Sequence, residues 1–534
     1  MNARLLSRSR RLLAAVALLL GAGLVSPTAH AIFDRALVHT DKGWVRGEVT
    51  PTMKKYLGIP YAAPPVGERR WRPPQPVKPW KGVRDATQFA NHCPQPASPF
   101  GLASTTEDCL YLNVYTPNHK GILRDLLHDH PVMVWIHGGA LFLGESDDYN
   151  PQKLVEREDV IVVTINYRLG FLGFLAHPAL SAESSYGGSG NYGLMDQQAA
   201  LEWVRRNIRR FGGDPNKVTI FGESAGGLSV HSQLASPLAN KLFHRAIIQS
   251  GAYAIQHPTL AQAEAAGQAA AVAFGCADQS AACLRAVPVE TLLANQGSGG
   301  FVPNVDGKVL PQTIRDALAS GQFNQVPVMQ GANHDEWRLF VALQHDLVGN
   351  PVTPANYVDA IAALGIPTPT AAFLAANVYP LAAYPSPAIA LGALGTDLVF
   401  ACNARTSVRL LAAHVPTYAY EFNDANAPQP FLPPVSFPYG AYHAAEIQYV
   451  LGIRPNLPPA LVPPFTPDQQ RLSDHMINYW GNFAKHGVPN GGGSPLWRRY
   501  DPAADVVQSL LPPTPTTKAD FAADHKCGFW APGT

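Results

Sequence analysis

Ser224 stands in Gly222-Glu223-Ser224-Ala225-Gly226, directly after the apolar run Val218-Thr219-Ile220-Phe221 and ahead of Gly227-Leu228-Ser229-Val230-His231. A G-x-S-x-G element between a strand pattern and a helix pattern holds its serine on a tight, strained turn, with the hydroxyl projecting as a nucleophile. Gly222 and Gly226 remove side chains that would collide with neighbouring backbone, and the start of the following helix adds positive potential where oxyanion charge develops. A chance pentapeptide in a chain with 45 glycines is the competing explanation, and the flanking strand and helix patterns argue against it. Upstream, His137-Gly138-Gly139-Ala140 follows the apolar run Val132–Ile136. Gly138, Gly139 and Ala140, with Ala225 after the serine, form a candidate oxyanion hole, whose backbone N–H groups stabilise a tetrahedral alkoxide. A plain Gly-Gly turn is the alternative for that loop alone.

The elements that must position these residues follow from the apolar runs. Val132–Ile136, Val160–Ile165, Val218–Phe221 and Ala246–Ile248 are continuous rather than alternating, which suits strands buried on both faces of a parallel sheet. Between them Met195–Phe211 carries Ala199, Ala200, Trp203, Val204 and Ile208 at helical spacing. Strand-helix-strand alternation predicts an α/β fold with a central, mostly parallel sheet flanked by helices. Residues 255–300 read as Ala-rich helix, and 352–415 as a helical excursion interrupted by Pro367, Pro369, Pro380 and Pro385. The Pro-rich, aromatic stretch 425–438 reads as a surface loop and Gly491-Gly492-Gly493 as a flexible turn. With no internal repeat and no linker, the expected organisation is a signal peptide at 1–31 and one large domain over 32–534.

Several ordered motifs now point to a family. They are Leu57-Gly58-Ile59-Pro60-Tyr61-Ala62, Glu107-Asp108-Cys109-Leu110-Tyr111-Leu112-Asn113, Asn166-Tyr167-Arg168, Gly190-Asn191-Tyr192-Gly193-Leu194-Met195-Asp196-Gln197 and Phe211-Gly212-Gly213-Asp214-Pro215. With the serine turn, they make the chain resemble the type B carboxylesterases, the group that includes cholinesterases and the bacterial para-nitrobenzyl-esterase-like proteins. The likeness runs from about residue 38 to 530. It implies an α/β-hydrolase fold with helical insertions over an active-site gorge.

The serine needs a base within reach and an acid to orient that base, in the chain order Ser, acid, His. Glu336, in Gly331-Ala332-Asn333-His334-Asp335-Glu336, matches the family's acid position, with Asp335 as the competing carboxylate. The family usually places Gly after the acid, and this chain has Trp337, a candidate for shaping the pocket. Of 18 histidines, His443 in Gly440-Ala441-Tyr442-His443-Ala444-Ala445-Glu446 matches the family's catalytic position. His475 and His486 read as structural. The expected reaction is two-step acyl transfer by Ser224, His443 and Glu336, with no metal and no organic cofactor required. Glu223 is placed to tune the charge of His443, or else to serve as a structural hydrogen-bonding group. Arg168 with Asp196, and Arg70 with Glu107, are implied buried ion pairs.

Other functions lose ground on composition. The chain is 46% hydrophobic and 15% charged with a net charge of +1, which offers nothing to nucleic acid. Gly188-Ser189-Gly190-Asn191-Tyr192-Gly193 has dinucleotide-site spacing but follows no predicted strand. Arg4, Arg8, Arg10 and Arg11, the apolar stretch Leu12–Val25 and Ala29-His30-Ala31 describe a secretory signal cut after Ala31. That stretch is about 14 residues, short of the roughly 20 a membrane span needs. Ser9-Arg10-Arg11-Leu12-Leu13 is also compatible with twin-arginine export. No other segment reads as a span, so the mature protein is expected to be secreted or periplasmic, without a stable membrane anchor.

Six cysteines and no C-x-x-C in an exported chain favour disulfides over metal ligands. Spacing alone permits 15 pairings, and nearest neighbours are the simplest. The family resemblance implies Cys93–Cys109, Cys276–Cys283 and Cys402–Cys527.

The expected function is therefore a serine carboxylic-ester hydrolase acting on small-molecule esters. A specialised lipase or toxin-degrading esterase, and a non-catalytic cholinesterase-like binding protein, are the rivals. The loop between Cys93 and Cys109 has 15 residues and no Trp. The family's choline site uses a Trp in a longer loop to hold a quaternary ammonium, so cholinesterase activity is not expected. Acyl and alcohol preference and oligomeric state are not legible in the sequence.

Overall fold

The computed structural model describes residues 35–119, 129–297 and 299–531. The leader expected at 1–31, with its cleavage site, lies outside the described residues. At the centre is an 11-stranded sheet. Its strands are β1 (Glu48–Val49), β2 (Met53–Pro60), β3 (Tyr111–Pro117), β4 (His130–Ile136), β5 (Ile161–Ile165) and β6 (Gly213–Glu223). They continue with β7 (Arg245–Gln249), β8 (Val328–Asn333), β9 (Thr417–Phe422), β10 (Val507–Leu510) and β11 (Thr516–Lys518). The spatial order is β11-β10-β9-β8-β7-β6-β4-β5-β3-β2-β1. Neighbours from β5 through to β10 run parallel, and the pairings at both ends are antiparallel. This is the expected α/β-hydrolase architecture.

Continuous apolar runs work in these strands because both faces are covered. Alternate residues point to opposite faces of a strand. On β4, Val132, Val134 and Ile136 enter one core while Met133 and Trp135 enter the other. On β5, Ile161, Val163 and Ile165 divide from Val162 in the same way, as do Val218 and Ile220 from Phe221 on β6. Helix α1 (Tyr192–Asn207) and helix α2 (Ala225–Ala235) bury residues in the first core, and α6 (Pro467–His486) covers the second.

Four further elements matter to the site. Helix α3 (Arg338–Gln344) follows β8 closely, and α4 (Pro387–Gly395) runs through a π-helical turn at Thr396–Ala401 into α5 (Cys402–Ala412). The continuous helix Pro387–Ala412 corrects the expectation that no segment outside the leader has the length and apolarity of a membrane span. It has both, but 72% of its most apolar window is buried inside the protein, as befits a core helix.

The implied ion pairs form: Arg168 Nε and NH2 donate to Asp196 at 2.7 and 2.8 Å, and Arg70 Nε donates to Glu107 at 2.8 Å. All six cysteines are paired as Cys93–Cys109, Cys276–Cys283 and Cys402–Cys527, with Cα separations of 4.9, 5.7 and 5.2 Å. Stretch 425–438 is irregular, and Gly188–Gly193 leads into α1 with no strand before it.

Candidate active site

Ser224 joins β6 to α2 with φ 54° and ψ −120°, a conformation that a non-glycine residue adopts only when its surroundings impose it. The constraint comes from close backbone packing. A Cβ on Gly226 would lie 1.9 Å from the Ile136 carbonyl oxygen, so only glycine lets α2 start against the end of β4. Ser224 N–H donates to the Gln249 carbonyl at 2.9 Å, which anchors the turn to β7. Ala225 is the first residue of α2, where backbone N–H groups have no intrahelical acceptor.

The loop after β4 reaches the same point. A Cβ on Gly138 would stand 3.2 Å from the Ser224 Cβ and 2.9 Å from Glu223 Oε2, so the loop lies against the serine turn. Gly139 and Ala140 both have positive φ, and the Gly139 carbonyl accepts from Phe142 and Leu143 N–H at 3.0 and 2.9 Å. Buried His137 fixes the loop's start, with Nδ1 2.9 Å from the Gly138 carbonyl and its ring stacked on Tyr167.

Glu336 and His443 are brought together from positions 107 residues apart, with His443 Nδ1 2.6 Å from Glu336 Oε2 and both side chains buried. Glu336 Oε1 accepts from Asn333 N–H at 2.8 Å, which holds the carboxylate at the end of β8. Asp335 is engaged elsewhere. Its Oδ1 meets His334 Nδ1 at 2.9 Å and Arg338 NH2 at 2.8 Å, and its Oδ2 accepts from Ala441 N–H at 2.9 Å. Trp337 keeps an ordinary helical φ, and its N–H donates to Thr396 Oγ1 at 3.0 Å. Its ring fills the space left by Gly395, where a Cβ would come within 2.1 Å. From there it packs on Phe340 at 4.6 Å, and Phe340 and Phe400 lie 5.1 and 4.8 Å from the His443 ring.

His443 Nε2 lies 3.2 Å from Glu223 Oε1, close enough for charges to interact but misaligned as a hydrogen bond. Both atoms lack a hydrogen-bond partner among the described residues. Burial disfavours the imidazolium, but Glu223, Glu336 and Glu446 outweigh it and push His443 up to about 9. Burial raises the Glu223 carboxyl well above its ordinary range, with His443 as the chief opposing influence. The two groups titrate as a pair.

Residues not singled out from sequence complete the frame. Buried Glu446 accepts from Gln249 Nε2 at 3.0 Å and Asn333 Nδ2 at 2.6 Å, and Asn333 Nδ2 also donates to the Tyr442 carbonyl at 2.8 Å. This links β7, β8 and the His443 loop. The nearest sequence signal was Glu446 itself, a carboxylate three residues after the histidine. His475 lies in α6 with Nδ1 3.0 Å from Ser494 Oγ, and His486 is the last residue of α6; neither is brought to this site.

The arrangement gathers a strained serine, a helix N-terminus and a glycine loop at the end of β6, and brings a carboxylate-held imidazole against Glu223, the residue before the serine. Comparison with known proteins agrees in chemistry. The family model described as "Carboxylesterase family" matches residues 34–530. A pyrethroid hydrolase, Ces2e of Rattus norvegicus, is 36% identical over 505 residues, covering 89% of this chain and 86% of that protein. The para-nitrobenzyl esterase of Bacillus subtilis is 37% identical over 476 residues, covering 85% and 90%. A solved PNB esterase structure superposes with a TM-score of 0.75 at 34% identity, covering 92% of this chain and 98% of the other. The chain thus belongs to the carboxylesterase family and is a carboxylic-ester hydrolase.

Proposed function

We propose that this enzyme hydrolyses esters through an acyl-enzyme on Ser224, with His443 as general base and acid and Glu336 as its orienting carboxylate. The observation that carries the reading is the buried 2.6 Å contact between His443 Nδ1 and Glu336 Oε2 beside the strained serine turn. With Nδ1–H donated to Glu336, Nε2 is the atom left to take the Ser224 proton as the hydroxyl attacks the ester carbonyl. The carbonyl oxygen then becomes an alkoxide, stabilised by N–H groups of Gly139, Ala140 and Ala225, with Gly138 giving the loop its close approach. The imidazolium returns the proton to the departing alcohol, and water hydrolyses the acyl-enzyme by the same base.

The substrates are small-molecule esters. Export to an oxidising compartment is part of the proposal, supported by the Arg-rich apolar N-terminus and by the pairing of all six cysteines.

Hydrolysis of nitrophenyl esters of rising acyl length tests this reading. Glu336→Gln should lower kcat by roughly 10³–10⁴ by presenting the wrong imidazole tautomer. Asp335→Asn should stay within about tenfold of the parent in kcat per active site, since its oxygens meet His334, Arg338 and Ala441 N–H and not the His443 imidazole. The reverse ranking would move the acid to Asp335, and a parent inactive on every ester would refute the reading outright.

A further inference from the structure

Behind the loop that carries Glu336 lies a buried ionic cluster with no part in acyl transfer as described. His525, 3% exposed, sits between two carboxylates, with Nδ1 2.7 Å from Asp397 Oδ1 and Nε2 2.5 Å from Glu421 Oε1. Lys518 Nζ lies 2.7 Å from Glu421 Oε2 and also bonds Asp524. The His334 ring, 5.4 Å from that of His525, spans Asp335 at 2.9 Å and Asp524 at 3.3 Å. Lys526 Nζ stands 4.0 Å from Asp397 Oδ2. His334, Glu421, Asp524 and His525 have the types and spacing of a metal site. However, the Lys518 ammonium already rests on two of these carboxylates, and each imidazole nitrogen already faces a carboxylate. The cluster is a self-neutralising ion network.

The elements joined by His525 are those that shape the site. Asp397 lies in the π-helical turn Thr396–Ala401. Within that turn, the Thr396 hydroxyl accepts from Trp337 N–H, and Phe400 packs on the His443 imidazole. Glu421 is on β9, paired with Ala332 on β8, the strand that leads to Glu336. His525 follows the short helix Phe521–Asp524, and two residues on Cys527 is bonded to Cys402, the residue directly after the π turn. The C-terminal segment therefore holds the π turn by an ionic contact at Asp397 and by a covalent bond just after its end. π-Helical turns inside α-helices recur at functional sites.

We propose that the segment Phe521–Cys527 is a positioning clamp for the active site. In it, the His525 imidazole holds the π turn, and through it Phe400 and Trp337, against the sheet end that carries Glu336. The proposal rests on the Ser224–His443–Glu336 reading and makes His525 a positioning residue, since it acts through the wall behind His443. Burial opposes the imidazolium, yet Asp397 and Glu421 outweigh it and push His525 up to about 9, so the ionic form persists at neutral pH. Removing the imidazole alone unbalances a buried charge set: Glu421 keeps Lys518 and Asn423, while Asp397 keeps the Tyr379 hydroxyl at 2.7 Å and only the more distant Lys526 ammonium.

The test compares parent, His525→Gln, Asp397→Asn, the double variant and Ser224→Ala on nitrophenyl acetate and butyrate. Rates of the proteins that retain Ser224 are expressed per active site titrated by the nitrophenol burst, which removes any loss due to unfolded protein, and that of Ser224→Ala per mole of folded protein. Each single variant should lose about tenfold in kcat per titrated site, the scale of a sub-ångström misplacement, and should change the butyrate-to-acetate ratio of kcat/KM. The double variant removes both charges together. It should recover to within about threefold of the parent, so that its loss is smaller than the product of the single losses, with the ratio still displaced. Parent kcat per site and parent ratio in the single variants would overturn the clamp, as would a double loss equal to that product. If the single variants do not fold, parent values in the double variant overturn it, and reduced kcat with a displaced ratio upholds it. Parent activity in Ser224→Ala would instead refute the catalytic reading on which the clamp rests.

Discussion

His443 is flanked by carboxylates on both ring nitrogens, Glu336 at Nδ1 and Glu223 at Nε2. In the proposed mechanism only the neutral imidazole can take the serine proton, and His443 is pushed up to about 9 by carboxylates that outweigh its burial. Activity should therefore rise with pH through that region. Glu223 leads the influences that raise His443, so Glu223→Gln should lower its pKa. The acidic limb of the kcat/KM profile should then move down by about one pH unit; an unmoved limb would show that Glu223 does not act on the base. At this scale, sequence revealed what local chemistry demands. The serine turn and the glycine loop are contiguous, each beside its own strand. Asn333 and Phe400 were not legible, because each reaches the site only through folding and carries no local pattern, and Glu446 had only its place three residues after the histidine to mark it. Adjacent carboxylates on one turn do not reveal in sequence which of them faces His443; in the structure Glu336 does, while Asp335 faces His334 and Arg338.

At the scale of elements, Trp337 and Gly395 form a coupled pair, since the indole occupies the space where a residue 395 side chain would stand. Gly395→Ala should destabilise the parent by about 1–3 kcal/mol through overpacking, measured by denaturant unfolding. In a Trp337→Gly background the same change should cost less than about 1 kcal/mol. Equal costs in both backgrounds would separate the two sites. The strands visible in sequence were the continuously apolar ones at the sheet centre, and both faces of those strands are buried. Strands β8, β9 and β10 escaped notice because Gln330, Glu421 and Gln508 interrupt their apolar runs. All three are buried; Gln330 bonds His231, Ser407 and the Ala404 carbonyl, and Glu421 belongs to the ionic network behind the site. Strand β2 mixes Lys54 and Lys55 with apolar residues, near the less covered edge.

Across the whole molecule, the ionic cluster and the Cys402–Cys527 bridge tie the C-terminus to the sheet end. Burial opposes both imidazolium ions, but their carboxylate partners push His525 up to about 9 and His334 up to about 10. Both folded values lie above the unfolded value of about 6.5. Their stabilisation is therefore complete below about pH 6.5 and is lost as pH rises through 9 to 10. Tm should fall by about 5 °C between pH 7 and pH 10, and by less in His525→Gln; an equal fall in that variant would assign the loss to other groups. The most direct test of the catalytic account is the nitrophenyl acetate reaction of Ser224→Ala beside the parent. The parent should release a nitrophenol burst of one equivalent per active site, and Ser224→Ala should show no burst, with kcat reduced by roughly 10⁶. A burst in the variant, or kcat within about tenfold of the parent, would contradict the account.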